Sequence, residues 1–179
     1  MRRLATYYLP DVLTISRFPM AAAFLLVEDT RVRLALVAGA SLSDWLDGWL
    51  ARRREHGTSW GALLDPIADK TFVLSALAAF ALEGALSLGQ VLVILSRDLA
   101  TAVGLIVAWL MPTLRASRFK ARYPGKVVTV LQLLVLFALL LAPGAVWWLV
   151  LATGVASAVA IADYTLELAR QRARARRTA

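Results

Sequence analysis

The chain has 179 residues, 60% of which are hydrophobic, and it carries a formal net charge of +8. It contains no cysteine and one histidine, which excludes disulfides, thiolate metal sites and histidine-rich zinc sites. Soluble domains are usually about half apolar, so the composition indicates an integral membrane protein. The basic residues lie between hydrophobic runs. This favours lipid head groups, phosphorylated substrates and membrane topology, and not nucleic acid, as the reason for the charge.

The hydrophobic runs predict an all-α integral membrane protein. About 20 apolar residues cross a bilayer as a helix, so the chain has room for about six transmembrane helices. Residues 1–10 combine two arginines with two tyrosines and predict an N-terminal interfacial segment. The six predicted transmembrane helices cover residues 11–28, 31–54, 61–83, 88–111, 126–141 and 145–167. We expect a single membrane domain over residues 1–179.

Lysines and arginines predict the orientation of these helices. They crowd the C-terminal end of the second predicted helix at 52–54, the loop between the fourth and the fifth, and the basic tail at 170–179. The connections 83–89 and 142–145 contain neither residue type. Because cytoplasmic loops are enriched in lysine and arginine, we expect both termini to lie on the cytoplasmic side of a bacterial inner membrane. The loop between the second and third helices is expected on the same side.

The second and third predicted helices carry the most specific pattern in the chain. Its eight residues are Asp44, Asp47, Gly48, Ala51, Arg52, Gly61, Asp65 and Asp69. On a helix the first five share one face, and the last three recur at steps of four residues on a second face. Two such helices side by side would bring four carboxylates together.

Four carboxylates at membrane depth need a compensating charge. A charged side chain at the bilayer centre costs about 2.5–3.5 kcal/mol, even on the insertion scale that penalises it least. One alternative is that the aspartates cap helices or pair with neighbouring basic residues such as Lys70. Four of them at these spacings favour instead a polar cavity that binds Mg²⁺ or Mn²⁺, because both cations take oxygen ligands.

The other residues of the pattern suit a phosphate-bearing ligand. Gly48 and Gly61 carry no side chain on the faces of the aspartates, so a ligand or a neighbouring helix can approach the backbone there. Arg52, one turn after Gly48, can donate a fork of hydrogen bonds to a phosphate. The pattern therefore predicts a shallow pocket at the membrane edge for a metal-bound phosphate ligand.

Two further stretches carry charge where a second substrate can bind. Arg97 and Asp98 are adjacent inside the fourth predicted helix, and charged residues within a membrane are functional candidates by default. Arg115, Arg118 and Lys126 belong to a basic run that leads into the fifth helix and can hold an anionic ligand. The alternatives are local pairing of Arg97 with Asp98, and a basic loop that serves membrane topology only.

The spacing of the aspartate pattern resembles a family signature. The order Asp44-x2-Asp47-Gly48-x2-Ala51-Arg52-x8-Gly61-x3-Asp65-x3-Asp69 matches that of the CDP-alcohol phosphotransferases without a gap or substitution. Six transmembrane helices with cytoplasmic termini also resemble this family, whose members are typically homodimers. Before its first helix the family often shows Pro-Asn-x-x-Thr, where this chain has Pro10-Asp11-x-x-Thr14, so a role for that asparagine does not carry over.

The resemblance implies a reaction and a set of residue roles. CDP-diacylglycerol would bind two divalent cations, Mg²⁺ or Mn²⁺, through its diphosphate, and the hydroxyl of an acceptor alcohol would attack the β-phosphorus with release of CMP. By position, the metal ligands would be Asp44, Asp47, Asp65 and Asp69. Asp69 would also act as the general base. The residues bordering the cytidine nucleotide would be Asp44, Gly48, Ala51, Arg52 and Gly61.

The acceptor is suggested by similarity to the glycerol-type members of the family. These are phosphatidylglycerophosphate synthases, which take glycerol 3-phosphate, and cardiolipin synthases of the same fold, which take phosphatidylglycerol. We expect glycerol 3-phosphate to be the acceptor, and the residues expected to bind it are Arg97, Arg115, Arg118 and Lys126. Cardiolipin synthesis is the alternative that Ser96-Arg97-Asp98 favours. Inositol phosphate and serine have no positive feature in the sequence. The expected partners are the two substrates, the lipid bilayer and a second copy of the chain.

A divalent-cation transporter is the non-enzymatic alternative. Transporters place acidic residues near the membrane midplane, commonly together with repeats or broken helices. In this chain the aspartates lie next to basic loops, toward one membrane face, which favours the enzyme.

Overall fold

The computed structural model describes residues 15–52, 59–110 and 123–178, with side chains at 15–46, 70–104, 106 and 124–166. Apart from one short 3-10 turn, every regular element in these residues is an α-helix. The helices are α1 (Ile15–Leu26), α2 (Thr30–Arg52), α3 (Ser59–Leu82), α4 (Leu88–Leu110), α5 (Tyr123–Leu141) and α6 (Val146–Thr178). The all-α class predicted from the sequence is confirmed for this part of the chain. The interfacial segment predicted at 1–10 lies outside it.

The last helix is longer than predicted. The sequence predicts a transmembrane helix that ends at 167 and a basic tail at 170–179, whereas α6 continues to Thr178 without a break. Alanine and arginine have high helix propensity, and residues 169–177 consist mainly of these two types, so the helix can continue after its apolar part.

The junction between α1 and α2 is closed by a helix cap. Asp29 precedes α2, and its Oδ1 accepts hydrogen bonds from the backbone N–H groups of Arg31 (2.8 Å) and Val32 (3.0 Å). Because the first N–H groups of a helix have no partner within it, this carboxylate stabilises the start of α2.

The turn from α3 to α4 is specified by its own residues. Gly84 has φ = +75°, a left-handed conformation that favours glycine after a helix C-terminus, and the N–H of Ala85 donates to the carbonyl of Phe80 at 2.9 Å. Ser87 and Gln90 then form a capping box at the start of α4. The N–H of Gln90 donates to Ser87 Oγ (3.3 Å), and the N–H of Ser87 donates to Gln90 Oε1 (2.8 Å).

The chain forms two compact units, which are described separately below. The first unit consists of Met1–Leu86 and Leu136–Pro143, and the second of Ser87–Val135 and Gly144–Ala179. The single domain expected from the sequence remains a prediction.

In the first unit, α1 packs against both α2 and α3. The buried ring of Phe24 meets Phe72 and Phe80 of α3 edge-on, with ring centroids 5.9 Å and 5.6 Å apart. On the α2 side, Met20 lies so close to Gly39 that a Cβ at this glycine would be 3.1 Å from Met20 Cε. The three helices therefore share one apolar interior.

In the second unit, α4 packs along α6, and α5 is joined to α4 by a buried polar side chain. A Cβ at Gly154 of α6 would lie 2.9 Å from Val93 Cγ1, so these two helices approach closely where one of them has no side chain. Gln132 of α5 donates to the carbonyl of Ile94 in α4 at 2.8 Å.

Two described segments are long and apolar enough to cross a membrane. They are Pro124–Leu141 and Pro143–Leu166, and Ile15–Leu26 and Lys70–Leu82 are shorter apolar helices. Large apolar side chains on α6, among them Val155 and Val159, are more than half exposed, as expected of a surface that faces lipid. The number of six transmembrane helices stays a prediction.

Candidate active site

An ion pair between a buried arginine and a partly exposed glutamate shows the relative direction of α2 and α3 in the first unit. Arg33, near the start of α2, donates two hydrogen bonds to the carboxylate of Glu83, just after α3, and the bond from Nη1 to Oε2 measures 2.8 Å. Its Cζ lies 5.1 Å and 5.5 Å from the ring centroids of Phe24 and Phe80, and its Nε donates to the carbonyl of Val27 at 2.6 Å. The start of α2 therefore lies beside the end of α3, and the two helices are antiparallel.

Because α2 and α3 are antiparallel, Asp44 and Asp69 lie at about the same distance along the helix axes from the contact between Arg33 and Phe80. Asp44 follows Arg33 by eleven residues in α2, and Asp69 precedes Phe80 by eleven residues in α3. With a rise of 1.5 Å per residue, each aspartate lies about 16 Å from the contact between Arg33 and Phe80. Because the helices are antiparallel, both displacements point toward the same end of the unit.

On α2 the predicted stripe continues the face that is buried in the first unit. The buried positions of this helix are Arg33, Val37, Ala40 and Ser43. Steps of four, three and four residues from Ala40 reach Asp44, Asp47 and Ala51, all within α2. The stripe therefore extends the packed face of the helix toward its C-terminus.

The predicted stripe on α3 is likewise in helical register with buried positions of its helix. The buried positions next to it are Val73, Ala76, Leu77 and Phe80. Steps of four residues back from Val73 reach Asp69, Asp65 and Gly61, all within α3. The positions of both stripes are thus in helical register with buried positions of their helices, and they lie toward the same end of the first unit.

Asp44 is the member of the pattern whose side chain is described. Its Oδ1 lies 3.4 Å from Nη2 of Arg17 in α1. The side chain of Arg17 is 1% exposed and that of Asp44 is 46% exposed, so the guanidinium is enclosed while the carboxylate remains open to a ligand. Arg17 is not among the site residues predicted from the sequence, although an arginine inside an apolar helix is a signal that could have identified it.

The remaining members of the pattern lie in α2 and α3, but their side chains are outside the described set. They are Asp47, Gly48, Ala51, Arg52, Gly61, Asp65 and Asp69. Among the described side chains, no group of three or more acidic, histidine or cysteine residues can hold a metal ion. The oxygen donors of the four aspartates and the open carboxylate of Asp44 fit the ligand preference of Mg²⁺ and Mn²⁺. The roles of these residues as metal and nucleotide ligands remain predictions.

A second polar group surrounds Arg97 in the second unit. Arg97 Nη1 donates to Oδ1 of the adjacent Asp98 at 3.0 Å, and Nη2 donates to the hydroxyl of Tyr164 in α6 at 3.4 Å. The other carboxylate oxygen of Asp98 accepts a hydrogen bond from Gln132 Nε2 at 2.7 Å. The local pairing of Arg97 with Asp98 is therefore present, and it belongs to a group of side chains from three helices.

The Arg97 group retains unused hydrogen-bonding capacity. The Nε of Arg97 and the Oε1 of Gln132 are buried, and neither atom has a hydrogen-bond partner in the part of the chain that the structure describes. Buried polar atoms are normally paired, so these two atoms mark the Arg97 group as a candidate site for a polar ligand.

The start of α5 passes directly against this group. A methyl group at Gly125 would overlap the guanidinium of Arg97 and lie 2.6 Å from the hydroxyl of Tyr164. Lys126 follows and is exposed, whereas Arg115 and Arg118 lie outside the described residues. The predicted acceptor residues Arg97 and Lys126 therefore both belong to the neighbourhood of Gly125. Sequence reasoning missed Tyr164, which is 67 residues from Arg97 and carries no local signal.

Three relatives have names that describe their reactions. The Bacillus subtilis (strain 168) CDP-diacylglycerol–glycerol-3-phosphate 3-phosphatidyltransferase is 30% identical over 154 residues, which cover 75% of this chain and 77% of that protein. An Arabidopsis thaliana enzyme of the same name, from chloroplast and mitochondrion, is 40% identical over 75 residues. A rice (Oryza sativa subsp. japonica) cardiolipin synthase (CMP-forming) is 40% identical over 77 residues. Each plant match covers 38% of this chain, and they cover 25% and 23% of the Arabidopsis and rice proteins.

A family profile matches most of the length of this chain. The sequence profile described as CDP-alcohol phosphatidyltransferase matches residues 7–160, which include the whole aspartate pattern and Arg97, Asp98 and Gln132 of the Arg97 group, but not Tyr164. The apolar helices of the structure agree with the membrane location of such enzymes. The signature, the helical fold and this match together identify the chain as a membrane protein that belongs to the CDP-alcohol phosphatidyltransferase family.

Proposed function

We propose that this protein transfers the phosphatidyl group of CDP-diacylglycerol to glycerol 3-phosphate, which gives phosphatidylglycerophosphate and CMP. The observation that carries the proposal is that α2 and α3 are antiparallel neighbours, so that the helical positions of the aspartate pattern lie toward one end of the first unit. The family and the names of the Bacillus and Arabidopsis relatives support the same reaction.

The transfer exchanges one phosphorus–oxygen bond for another. The hydroxyl oxygen of the acceptor bonds to the β-phosphorus, and the bond from this phosphorus to the bridging oxygen breaks, so that CMP leaves with the bonding electrons. We assign the hydroxyl proton to the carboxylate of Asp69. A carboxylate beside cations is a weak base, so its contribution depends on holding the hydroxyl within hydrogen-bond distance.

The metal-binding part of the proposal assigns two divalent cations, Mg²⁺ or Mn²⁺, to four residues, which are Asp44, Asp47, Asp65 and Asp69. When bound, the cations would neutralise the diphosphate and stabilise the leaving phosphate. We infer that Arg52 donates hydrogen bonds to a phosphate and that Gly48, Ala51 and Gly61 leave space for the cytidine nucleotide.

For the acceptor, we infer a site that recognises a phosphate group. Arg97 has one buried donor without a partner in the described residues, and its side chain is 16% exposed, so it can still donate to an anion. Lys126 is exposed at the start of α5, and Arg115 and Arg118 belong to the same basic run. Glycerol 3-phosphate carries the dianionic group that such residues bind.

Cardiolipin synthesis is the second candidate. The similarity to the rice cardiolipin synthase and the Ser96-Arg97-Asp98 stretch favour it. Its acceptor, phosphatidylglycerol, carries its phosphate as a diester between two glycerols. A direct comparison of acceptors therefore separates the two candidates.

The decisive experiment measures CMP release by the purified full chain with CDP-diacylglycerol as donor. Glycerol 3-phosphate, phosphatidylglycerol, inositol phosphate and serine are supplied one at a time, each with Mg²⁺, with Mn²⁺ or with a chelator. We expect release with glycerol 3-phosphate and either metal, and none with the chelator. Release with phosphatidylglycerol alone would replace the first candidate by the second. Metal flux into liposomes without CMP release from any alcohol would support a transporter.

We further propose six transmembrane helices in a homodimer, with both termini on the cytoplasmic side of a bacterial inner membrane. The distribution of lysine and arginine over the loops supports this orientation. Because the chain has no cysteine, single cysteines at Ser87 and Thr178 can report it directly. In intact spheroplasts a membrane-impermeant maleimide should label S87C and not T178C, and the reverse pattern would contradict the orientation.

A further inference from the structure

We propose that Arg17 is a positioning residue, which holds the carboxylate of Asp44 in the orientation that metal binding requires. This inference rests on the proposed function, because it assigns Asp44 to the metal site. The contact that motivates it is the ion pair between Arg17 Nη2 and Asp44 Oδ1, at 3.4 Å, between α1 and α2.

The burial of Arg17 needs a reason. Its helix, Ile15–Leu26, is apolar, and the arginine side chain is 1% exposed within it. A charge enclosed in this way is unfavourable unless an opposite charge lies beside it. Asp44 supplies that charge, so the position of the guanidinium and the position of the carboxylate depend on each other.

The two partners differ in what they can contact. Arg17 is enclosed, so a substrate that enters from the membrane surface does not reach it directly, whereas the Asp44 side chain is 46% exposed. The described contact through which Arg17 can act on the reaction is its ion pair with Asp44. With one oxygen directed to the guanidinium, the remaining surface of the carboxylate is presented to a ligand.

The surrounding packing fixes the pair in place. One turn after Arg17, Met20 lies against Gly39 of α2, where a Cβ would be 3.1 Å from Met20 Cε. Ala40, one turn before Asp44, is buried. With α1 and α2 held this closely, the guanidinium has little freedom to follow a moving carboxylate, so the carboxylate is held instead.

Holding a ligand residue in advance strengthens metal binding. Side chains that orient a metal ligand through a hydrogen bond or ion pair typically contribute 10- to 100-fold to metal affinity or activity. If Arg17 orients the carboxylate of Asp44, a substitution of Arg17 should weaken cation binding in protein that is still folded. A purely structural ion pair would affect folding alone.

The first unit offers a matched control in Arg33. This residue is also a buried arginine paired with a carboxylate, that of Glu83, but it lies about 16 Å from Asp44 along α2. The variants are R17M, R17K and R33M, each in the full chain purified in detergent. Mn²⁺ binding in the presence of CDP is measured by electron paramagnetic resonance, and thermal unfolding is recorded for the same samples.

We expect R17M to weaken Mn²⁺ binding by about 10-fold or more, with R17K between it and the wild type. R33M should lower the unfolding temperature and leave Mn²⁺ binding at the wild-type value. If R17M does not fold, R17K decides the question, because it keeps the charge but loses the planar donor group. Weaker Mn²⁺ binding by folded R17K supports the inference, and wild-type binding overturns it.

Other outcomes separate this inference from the proposed function. If wild-type protein binds Mn²⁺ and R17M binds it equally well, Arg17 is structural and the metal site stands. If R33M weakens Mn²⁺ binding as much as R17M, the effect is one of folding and the inference is wrong. If the wild type binds no Mn²⁺ with or without CDP, the proposed metal site fails, and the role of Arg17 fails with it.

Discussion

The two ends of the first unit use the same three helices in different ways. At one end, Arg33 donates to Glu83 and to the carbonyl of Val27, and its guanidinium lies over Phe24 and Phe80. At the other end, Arg17 pairs with Asp44, whose side chain is 46% exposed. The two carboxylates are similarly exposed, 41% for Glu83 and 46% for Asp44, so exposure does not separate the ends. What separates them is that Arg33 makes several contacts that join helices, whereas Asp44 belongs to the aspartate pattern for which we propose a ligand.

The second unit offers a case between these two. Arg97 is paired with Asp98 and Tyr164, as a structural arginine would be. However, its Nε and the Oε1 of Gln132 lack partners among the described residues. We therefore expect the Arg97 group to bind a ligand in addition to joining three helices. Substitutions can test the roles assigned to the Arg33, Arg17 and Arg97 groups.

The largest effect is expected from Asp69→Asn. This change keeps the shape of the side chain but removes the carboxylate that accepts the hydroxyl proton, so CMP release should fall by about 10²- to 10⁴-fold. Binding of CDP-diacylglycerol should be largely spared, because three other aspartates remain. CMP release and equilibrium binding of the donor lipid are measured on the same preparation. Unchanged turnover would remove Asp69 from the role of base.

A smaller effect on activity is expected from Gly125→Ala. The added methyl group would overlap the guanidinium of Arg97 and crowd the hydroxyl of Tyr164, so both must move. We expect KM for glycerol 3-phosphate to rise by about 10-fold, on the basis of the loss of one to two charge-assisted hydrogen bonds. KM for CDP-diacylglycerol should change little.

Gly104→Ala is the matched control for this substitution. Gly104 also lies in the second unit, within α4, and a Cβ there has no neighbour within 4 Å. Alanine in a helix is favoured over glycine by about 1 kcal/mol, so this variant should keep its KM values and be slightly more stable. Equal increases of KM for both substrates in Gly125→Ala would show that the Arg97 group has a structural role only.

The basic run tests the same distinction by charge. Charge-removing substitutions at Arg115, Arg118 or Lys126 should raise KM for glycerol 3-phosphate more than KM for CDP-diacylglycerol, by several-fold per residue. Each of them removes one cation that can attract the acceptor phosphate. The measurement is initial rate against each substrate at low and high salt. Equal effects on the two substrates would indicate that the run serves membrane topology.

Stability, and not activity, should respond to Arg33→Met. The loss leaves Glu83 without its partner at a helix junction, and we expect a destabilisation of about 1–3 kcal/mol. This is below the range for fully enclosed pairs because the Glu83 side chain is 41% exposed. Thermal unfolding in detergent and CMP release below the unfolding temperature are the measurements. If turnover fell as much as in Asp69→Asn, the Arg33 end of the first unit would not have a purely structural role.

Local spacing predicted the helical class and the two aspartate stripes, because a recurrence every three or four residues is a property of one helix. The partners of the arginines were not predictable in this way. Arg33 and Glu83 are 50 residues apart, and Arg97 and Tyr164 are 67 residues apart, so their contacts depend on which helices become neighbours. The pairing of Arg97 with Asp98 was foreseen as an alternative because those residues are adjacent.

The acceptor remains the least predictable part of the site for a related reason. The aspartates follow a fixed spacing within two consecutive helices, whereas the Arg97 group draws residues from α4, α5 and α6. The sequence indicated Arg97 by its charge inside a predicted transmembrane helix, and Lys126 by its place in a basic run at the start of the fifth predicted helix. It gave no indication that Gln132 donates to Asp98 or that Gly125 lies against Arg97.

The smallest effect concerns pH and the Arg33 end of the unit. Hydrogen bonding to Arg33 lowers the pKa of the Glu83 carboxyl, which lies just after α3, and the guanidinium charge acts in the same direction. A carboxyl whose pKa is lower in the folded state stabilises the fold above its unfolded value, about 4.3, and loses this contribution as pH falls through the folded value. The unfolding temperature of the wild type should therefore decline below about pH 4.3 more steeply than that of Glu83→Gln, which has no carboxyl to protonate. Thermal unfolding between pH 7 and pH 3 measures the difference, and parallel curves for the two proteins would show that this ion pair does not hold the helices together.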